Sequence, residues 1–461
     1  MRTKQLAGRA ALAATVGLSL LGLGAPTAGA DTSAALPITS YRDIAVDGVH
    51  QRVFLSDPIG GSVLVTDYEG QVLQRISGAA GAWGLALSND SGTLYVALRD
   101  AGAIAAIDTV TLRETARHDT GTGAGAYAGP TSLAPAGGKI WFGYGTDTWN
   151  GDLGSLDLNG AEPTVTLGRR PGTFRGSPHL AAAPGKPDLL VAAESDGNDA
   201  TVAVYDVSTG RPEVQAQRVD PGPDGCASLQ DLAVTPDAER VVVACASPTY
   251  HQSFRTADLA DDGRYTTGGG YPNSVAVSPG GTIAAGIDGA HSPDLHLFAQ
   301  GDSTAFKSWD FPPSSDTQYK ADTLRTAGLA WAPDGSRIFA VTETGSSSSV
   351  GLRVLDHPQV ATSVTVQAPA SSPRNQDLAL TGRLKAPVGF AAGSTVDIWR
   401  LDDPTAGEGM LIGSATVAAD GTFNYTDRPK AKGHVQYTVQ YYGDARHTSA
   451  YGSVVVDITS D

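Results

Sequence analysis

Cysteine and methionine are almost missing from this 461-residue chain, with two of each. Cys226 and Cys245 alone make a poor metal site, because neither stands in a C-x-x-C motif or beside added ligands at binding spacing. The pair is read as one structural disulfide, with buried or free thiols as the alternative. Basic residues are also scarce, 32 Lys+Arg against 48 Asp+Glu, for a net charge of −16. A phosphate backbone needs a concentrated positive surface, so nucleic acid is not an expected partner. Past the first thirty residues no apolar run approaches the length of a membrane-spanning helix, and no membrane span is expected. The G-x-S-x-G elbow, the phosphate-cradling Gly-x-x-x-x-Gly-Lys loop and the His-Glu-x-x-His zinc motif are all absent, and no cofactor is expected.

What is present begins with a leader. Arg2, Lys4 and Arg9 stand without acidic neighbours, residues 10–23 are apolar, and Ala28-Gly29-Ala30 has the small-x-small pattern of a signal-peptidase site. No cysteine follows for lipid attachment. Residues 1–30 are expected to be a signal peptide, leaving a secreted, extracellular protein that starts near Asp31 with a charge of about −19.

The next feature is a repeat. A short apolar strand around an alanine recurs at Ala45, Ala86, Ala134, Ala181, Ala233, Ala276 and Ala330, at steps of 41, 48, 47, 52, 43 and 54 residues. Each is followed by a turn signal and a second apolar run, as in Asn89-Asp90-Ser91-Gly92 before Leu94-Tyr95-Val96-Ala97. A third run often ends in aspartate (Asp67, Asp108, Asp206, Asp356), and a more polar fourth strand leads onward. The 56 glycines and 27 prolines suit turns rather than helices. Seven anchors imply a seven-bladed β-propeller over residues 31–360, with alanine where blades crowd the central axis. Residues 36–41 are expected to close the ring as the outer strand of the last blade.

Segments such as Asp334-Gly335-Ser336-Arg337-Ile338-Phe339-Ala340-Val341, with the downstream strand ending at Asp356, resemble the YVTN family of WD-like propeller repeats. The resemblance covers roughly residues 36–358. It implies the fold without choosing an activity, since the family includes surface-layer proteins, binding proteins and a few enzymes.

Residues 361–461 carry strands at closer spacing and have the size of an immunoglobulin-like β-sandwich, so the expected class is all-β throughout. The run Gln440-Tyr441-Tyr442-Gly443-Asp444 resembles the bacterial immunoglobulin-like modules appended to exported actinobacterial proteins, which implies a spacer or adhesive unit. Trp399, beside inward-pointing Val396 and Ile398, is read as packing under a loop or as a contact residue.

Loops on one propeller face hold Trp83, Tyr127, Trp149, Phe174, Tyr250, Tyr271 and Tyr319, with His179, Glu194, Asp196, Asp199, His251 and His291. Flat rings with polar edges suit a glycan or a peptide, although aromatics beside Gly-rich turns also pack under loops. The disulfide is expected to brace residues 246–254 on this face. The leading expectation is a non-enzymatic, monomeric binding or cell-envelope interaction protein. The alternative is a secreted propeller lyase or hydrolase with His179, Glu194, His251 and His291 around a metal at the axial mouth, a metal whose identity is unknown from sequence. Asp196-Gly197-Asn198-Asp199 has calcium-type ligands but lacks the spaced glutamate of an EF-hand, and is read first as a solvated turn between strands.

Overall fold

The computed structural model describes residues 31–460 except 123–128, 147–149, 169–172, 196–199, 221–225, 290–292, 312–321, 345–348, 357, 392, 403–408 and 445. Its described residues form seven four-stranded antiparallel sheets, followed by a three-stranded and a five-stranded sheet. The seven sheets are the blades of a propeller. They occupy residues 44–77, 82–119, 132–167, 179–220, 227–266, 271–309 and 323–356, and are called blades one to seven.

In blades one to six the strands pair in chain order from the axis outward, joined by the turns anticipated from the Gly, Asn and Asp clusters. In blade two the second and third strands are buried along nearly their whole length, with only Thr93 and Asp108 at their ends partly exposed. The fourth strands lie at the rim, and Val72–Ser77 is exposed at all but one position.

The apolar interior lies between the blades rather than inside any one of them. Leu94, Val96 and Leu98 face blade one, packing with Phe54, Val63 and Val65. The alternate residues of the same strand, Tyr95 and Ala97, pack with Phe142 and Leu156 of blade three. Seven such layers run around the ring, the last joining Phe339 and Val341 of blade seven to Val53, Leu55 and Leu64 of blade one.

Closure is made by the chain's N-terminal part, one step earlier than expected. The outer strand of blade seven is Thr32–Ala35, paired antiparallel from Thr32↔Val354 to Ala35↔Gly351. Leu36 adds one more backbone bond, to the Val350 carbonyl at 2.8 Å. The ladder stops there because Pro37 has no N–H to donate. Residues 36–41 therefore form a connector, with Leu36 and Tyr41 buried between blades seven and one. Asp31 fastens the start: its carboxylate accepts from the Asp356 N–H and from the Trp309 indole, both at 3.1 Å.

Past the ring, Ser363–Gln367, Leu378–Lys385 and Thr422–Asp427 form the three-stranded sheet. Ser371–Pro373, Thr395–Leu401, Met410–Thr416, Gly433–Tyr441 and Ala450–Thr459 form the five-stranded one. Both sheets contribute to a single apolar cluster that includes Leu380, Phe423, Val396, Ile398 and Tyr437. The linker is sewn to this unit by Val360, whose N–H and carbonyl bond the backbone of Arg446 and Thr448 at 2.7 and 3.0 Å. His447 is fully buried beneath that seam, stacked on Phe390 at 4.4 Å and 2.8 Å from Asp444. No helix among the described residues is long and apolar enough to cross a membrane.

Candidate functional site

The axis of the ring is an open channel with a cavity of about 1040 Å³, near the top of the about 300–1,000 Å³ range of small-molecule sites. The anchor alanines Ala86, Ala134, Ala181, Ala233 and Ala276 line its middle. Ser88, Asn89 and Gly138, on the inner hairpin turns, line one end; Arg42, Trp83 and His179, where inner strands begin, line the other.

The residue immediately before each apolar-alanine pair falls at one level around the channel: Asp43, Gly84, Ser132, His179, Asp231, Ser274 and Gly328. Four of these side chains bridge to the next blade. The Leu85 N–H donates to Asp43 Oδ2 at 2.7 Å, the Leu180 N–H to Ser132 Oγ at 3.0 Å, the Val275 N–H to Asp231 Oδ2 at 2.8 Å, and the Leu329 N–H to Ser274 Oγ at 3.1 Å. At Gly84 the next blade crowds in, since a Cβ there would lie 2.6 Å from the Thr131 carbonyl oxygen. Small or hydrogen-bonding residues at this level are thus required by blade approach.

The same side chains give the channel its electrostatics. Burial pushes the Asp43 carboxyl up to about 6 against the pull of its Leu85 and Ile44 N–H bonds. Burial, with a further contribution from the charge of Asp43, raises Asp231 to about 7. His179 is pushed down to about 4 by burial and by the charge of Arg42, so it is neutral at pH 7. Desolvation also lowers Arg42. Its guanidinium sits 4.9 Å from the Trp83 ring centroid, and that of Arg99 sits 3.8 Å from it.

Of the residues picked out from sequence, Trp83 and His179 line this channel. Phe174 is 1% exposed and belongs to the layer between blades three and four. His251 is fully buried, with Nε2 donating to the Ser274 carbonyl at 3.0 Å and burial holding it neutral, down to about 4. Glu194 is buried and accepts from the Arg175 N–H at 3.1 Å, fastening the segment that leads into blade four. Tyr250 lies under Arg264 at 4.4 Å on a third strand, and Tyr271 is exposed at the start of blade six. Neither tyrosine lines the channel cavity. Tyr127, Trp149, Asp196, Asp199, His291 and Tyr319 lie outside the described residues. Among the described residues no three His, Cys, Asp or Glu side chains gather into a metal-binding group.

Cys226 and Cys245 are disulfide-bonded, with Cα atoms 5.4 Å apart. Both are buried in the layer between blades four and five. The second strand runs to Ser247 and the third starts at Tyr250, so there is no long loop over residues 246–254 to brace. The bond instead ties the start of blade five's innermost strand to the strand beside it.

Asp43, Asp231 and Arg42 were not singled out from sequence. The signal was present, since each immediately precedes or nearly precedes an anchor already recognised, but attention to loop aromatics passed over the first residues of the inner strands.

No protein-family profile matches this sequence, and no curated protein matches it. Among solved structures, the β-propeller domain of Cps50 (Swd1) from Myceliophteria thermophila matches at 13% identity and a TM-score of 0.51, over 70% of this chain and 99% of that one. Hydrazine synthase from Kuenenia stuttgartiensis matches at 16% identity and a TM-score of 0.51, over 69% of this chain and 96% of that one. At these identities the likeness is one of fold: the protein contains a β-propeller.

Proposed function

We propose that this chain is an exported binding protein that receives a polar ligand at the Trp83 end of its axial channel. The observation that carries the reading is the channel itself: about 1040 Å³ of cavity, with an aromatic ring and unneutralised polar groups gathered at one end. A channel with an aromatic ring and hydrogen-bonding side chains at one end suits recognition of a glycan or peptide of the cell envelope. The repeat resemblance to YVTN-type propellers agrees with this, as do the leader-like first thirty residues and the disulfide, which belongs to an oxidising compartment.

The two-sheet unit after residue 360 is proposed as an immunoglobulin-like spacer or adhesive module, on the strength of its two facing sheets and its Tyr441-Tyr442-Gly443-Asp444 segment. Among the described residues the competing lyase or hydrolase reading draws support only from His179 in the channel, because His251 and Glu194 are engaged in structural hydrogen bonds.

A glycan and peptide array probed with residues 31–461 tests the proposal. Retention on an envelope component, weakened by Trp83→Ala, is the expected result. Absence of retention on every component, with turnover of one of them, would overturn it in favour of an enzyme.

A further inference from the structure

Four side chains of the ionisable Arg, Lys and Asp types line the axial cavity: Arg42, Asp43, Lys139 and Asp231. Lys139, at the far end, has a partner in Asp157 at 3.4 Å. The other three have no ion pair among the described residues. Asp43 and Asp231 accept only N–H and hydroxyl donors, which leaves each carboxylate with unused acceptor capacity and no cation at ion-pair distance among the described residues. Arg42 has the Trp83 ring but no carboxylate within ion-pair distance. The three charges nevertheless act on one another across the cavity: Asp231 and Asp43 bias Arg42, and Asp43 biases Asp231.

Charges withdrawn from bulk water are costly unless each is met by an opposite charge or by hydrogen bonds. Here the protein keeps one cation and two anions apart in a single open cavity. The missing counter-charges are an ammonium for the carboxylates and a carboxylate for the guanidinium, whose planar fork is suited to it. Neutral His179, with donor and acceptor nitrogens, lines the same end of the cavity from blade four.

We infer that the channel binds a small zwitterion, a free amino acid or short peptide, its ammonium on Asp231 and Asp43 and its carboxylate on Arg42. This rests on the reading of the channel as a ligand site and gives that ligand its chemistry. Bound ammonium favours the ionised carboxylates, so binding releases protons and tightens as pH rises from about 5 to 8.

Calorimetry on the folded protein tests it with three probes: glycylglycine, which has both charges; glycinamide, the cation alone; and N-acetylglycine, the anion alone. Glycylglycine is expected to bind at least about tenfold more tightly than either of the others, with a heat that varies with the buffer's ionisation enthalpy. Asp231→Asn, which keeps an oxygen for the Val275 N–H, should weaken glycylglycine and glycinamide and spare N-acetylglycine. Arg42→Met should weaken glycylglycine and N-acetylglycine and spare glycinamide. Thermal unfolding of both variants controls for folding. Equal binding of the three probes, or binding of none, overturns the zwitterion. If none binds while the array yields a ligand sensitive to Trp83→Ala, the binding reading stands and this ligand class falls; if both fail, both fall.

Discussion

Thr93–Leu98 in blade two and Ala450–Thr459 in the tail are both extended strands whose side chains alternate in direction. In the first, Leu94, Tyr95, Val96, Ala97 and Leu98 are all buried. In the second, Val456 and Ile458 are buried while Tyr451 and Val455 are 63% and 51% exposed. The difference lies in what covers the two faces of the sheet. A blade is covered on both sides by its neighbours, so alternate residues feed two separate apolar layers and the strand reads as an unbroken hydrophobic run. The tail's larger sheet has one partner, so its other face meets water and its strands keep the alternation. A continuous apolar run can therefore be a strand between two neighbours as readily as a helix interior.

The sharpest way to break this contrast is to unmake the ring and leave the tail alone. Deleting residues 31–36 should lower the stability of the propeller by roughly 4–5 kcal/mol, from one buried leucine at about 2 and several edge hydrogen bonds at about 1 each. In scanning calorimetry the tail's transition should stay in place, and an unmoved propeller transition would mean that Thr32–Ala35 does not hold the ring shut.

Next, Leu64→Ala in blade one, where both faces are covered, should cost about 3 kcal/mol in urea unfolding. Val455→Ala on the tail's open face should stay within about 0.5 kcal/mol. Equal costs would erase the distinction between the two sheets. Replacing Cys226 and Cys245 together by serine reopens a link between residues 19 apart in sequence. It should reduce propeller stability by roughly 2–3 kcal/mol under oxidising conditions and leave the tail unaffected.

An effect smaller than that of the disulfide is expected from a carboxylate in the tail. The Asp444 carboxyl is held down to about 2, against its burial, by hydrogen bonds from His447, the Arg446 N–H and Tyr441. A depressed carboxyl stabilises the fold fully above its unfolded value near 4, and that contribution vanishes as pH falls towards 2. Because Asp444 is partly solvated, the contribution is about 1–2 kcal/mol. Asp444→Asn should lower the tail's stability at pH 7 and flatten its decline below pH 4; an unchanged acid limb would remove this carboxylate from the account.

The architecture of the ring was legible because the blades repeat one punctuation: an anchor alanine, a hairpin turn and, in five of the seven, an aspartate-ended third run. Even the closure was readable, displaced only because the alternation of residues 36–41 drew attention past Pro37, which ends the ladder. The site was less legible. An aromatic or histidine next to a Gly-rich turn carries no mark of which way it points, and Phe174 and His251 turn into the layers between blades while Trp83 and His179 turn to the channel. Asp43 and Asp231 look in sequence like ordinary strand-edge carboxylates. What sets them apart is the circular arrangement, which brings residues 188 positions apart in the chain to one cavity.

The pairing of Thr32–Ala35 with Ser349–Asp356 also orders events in time. Thr32–Ala35 finds its partner only after all seven inner strands have been synthesised, so no chain that stops short of Ser349–Asp356 can complete the circle. Every partial ring presents two open sheet faces and an unpaired edge. Contacts spanning this much sequence form late and slowly, which makes the last few residues of blade seven the step on which the life of the whole chain depends: until they arrive, it is a row of blades open to proteases and to its own copies.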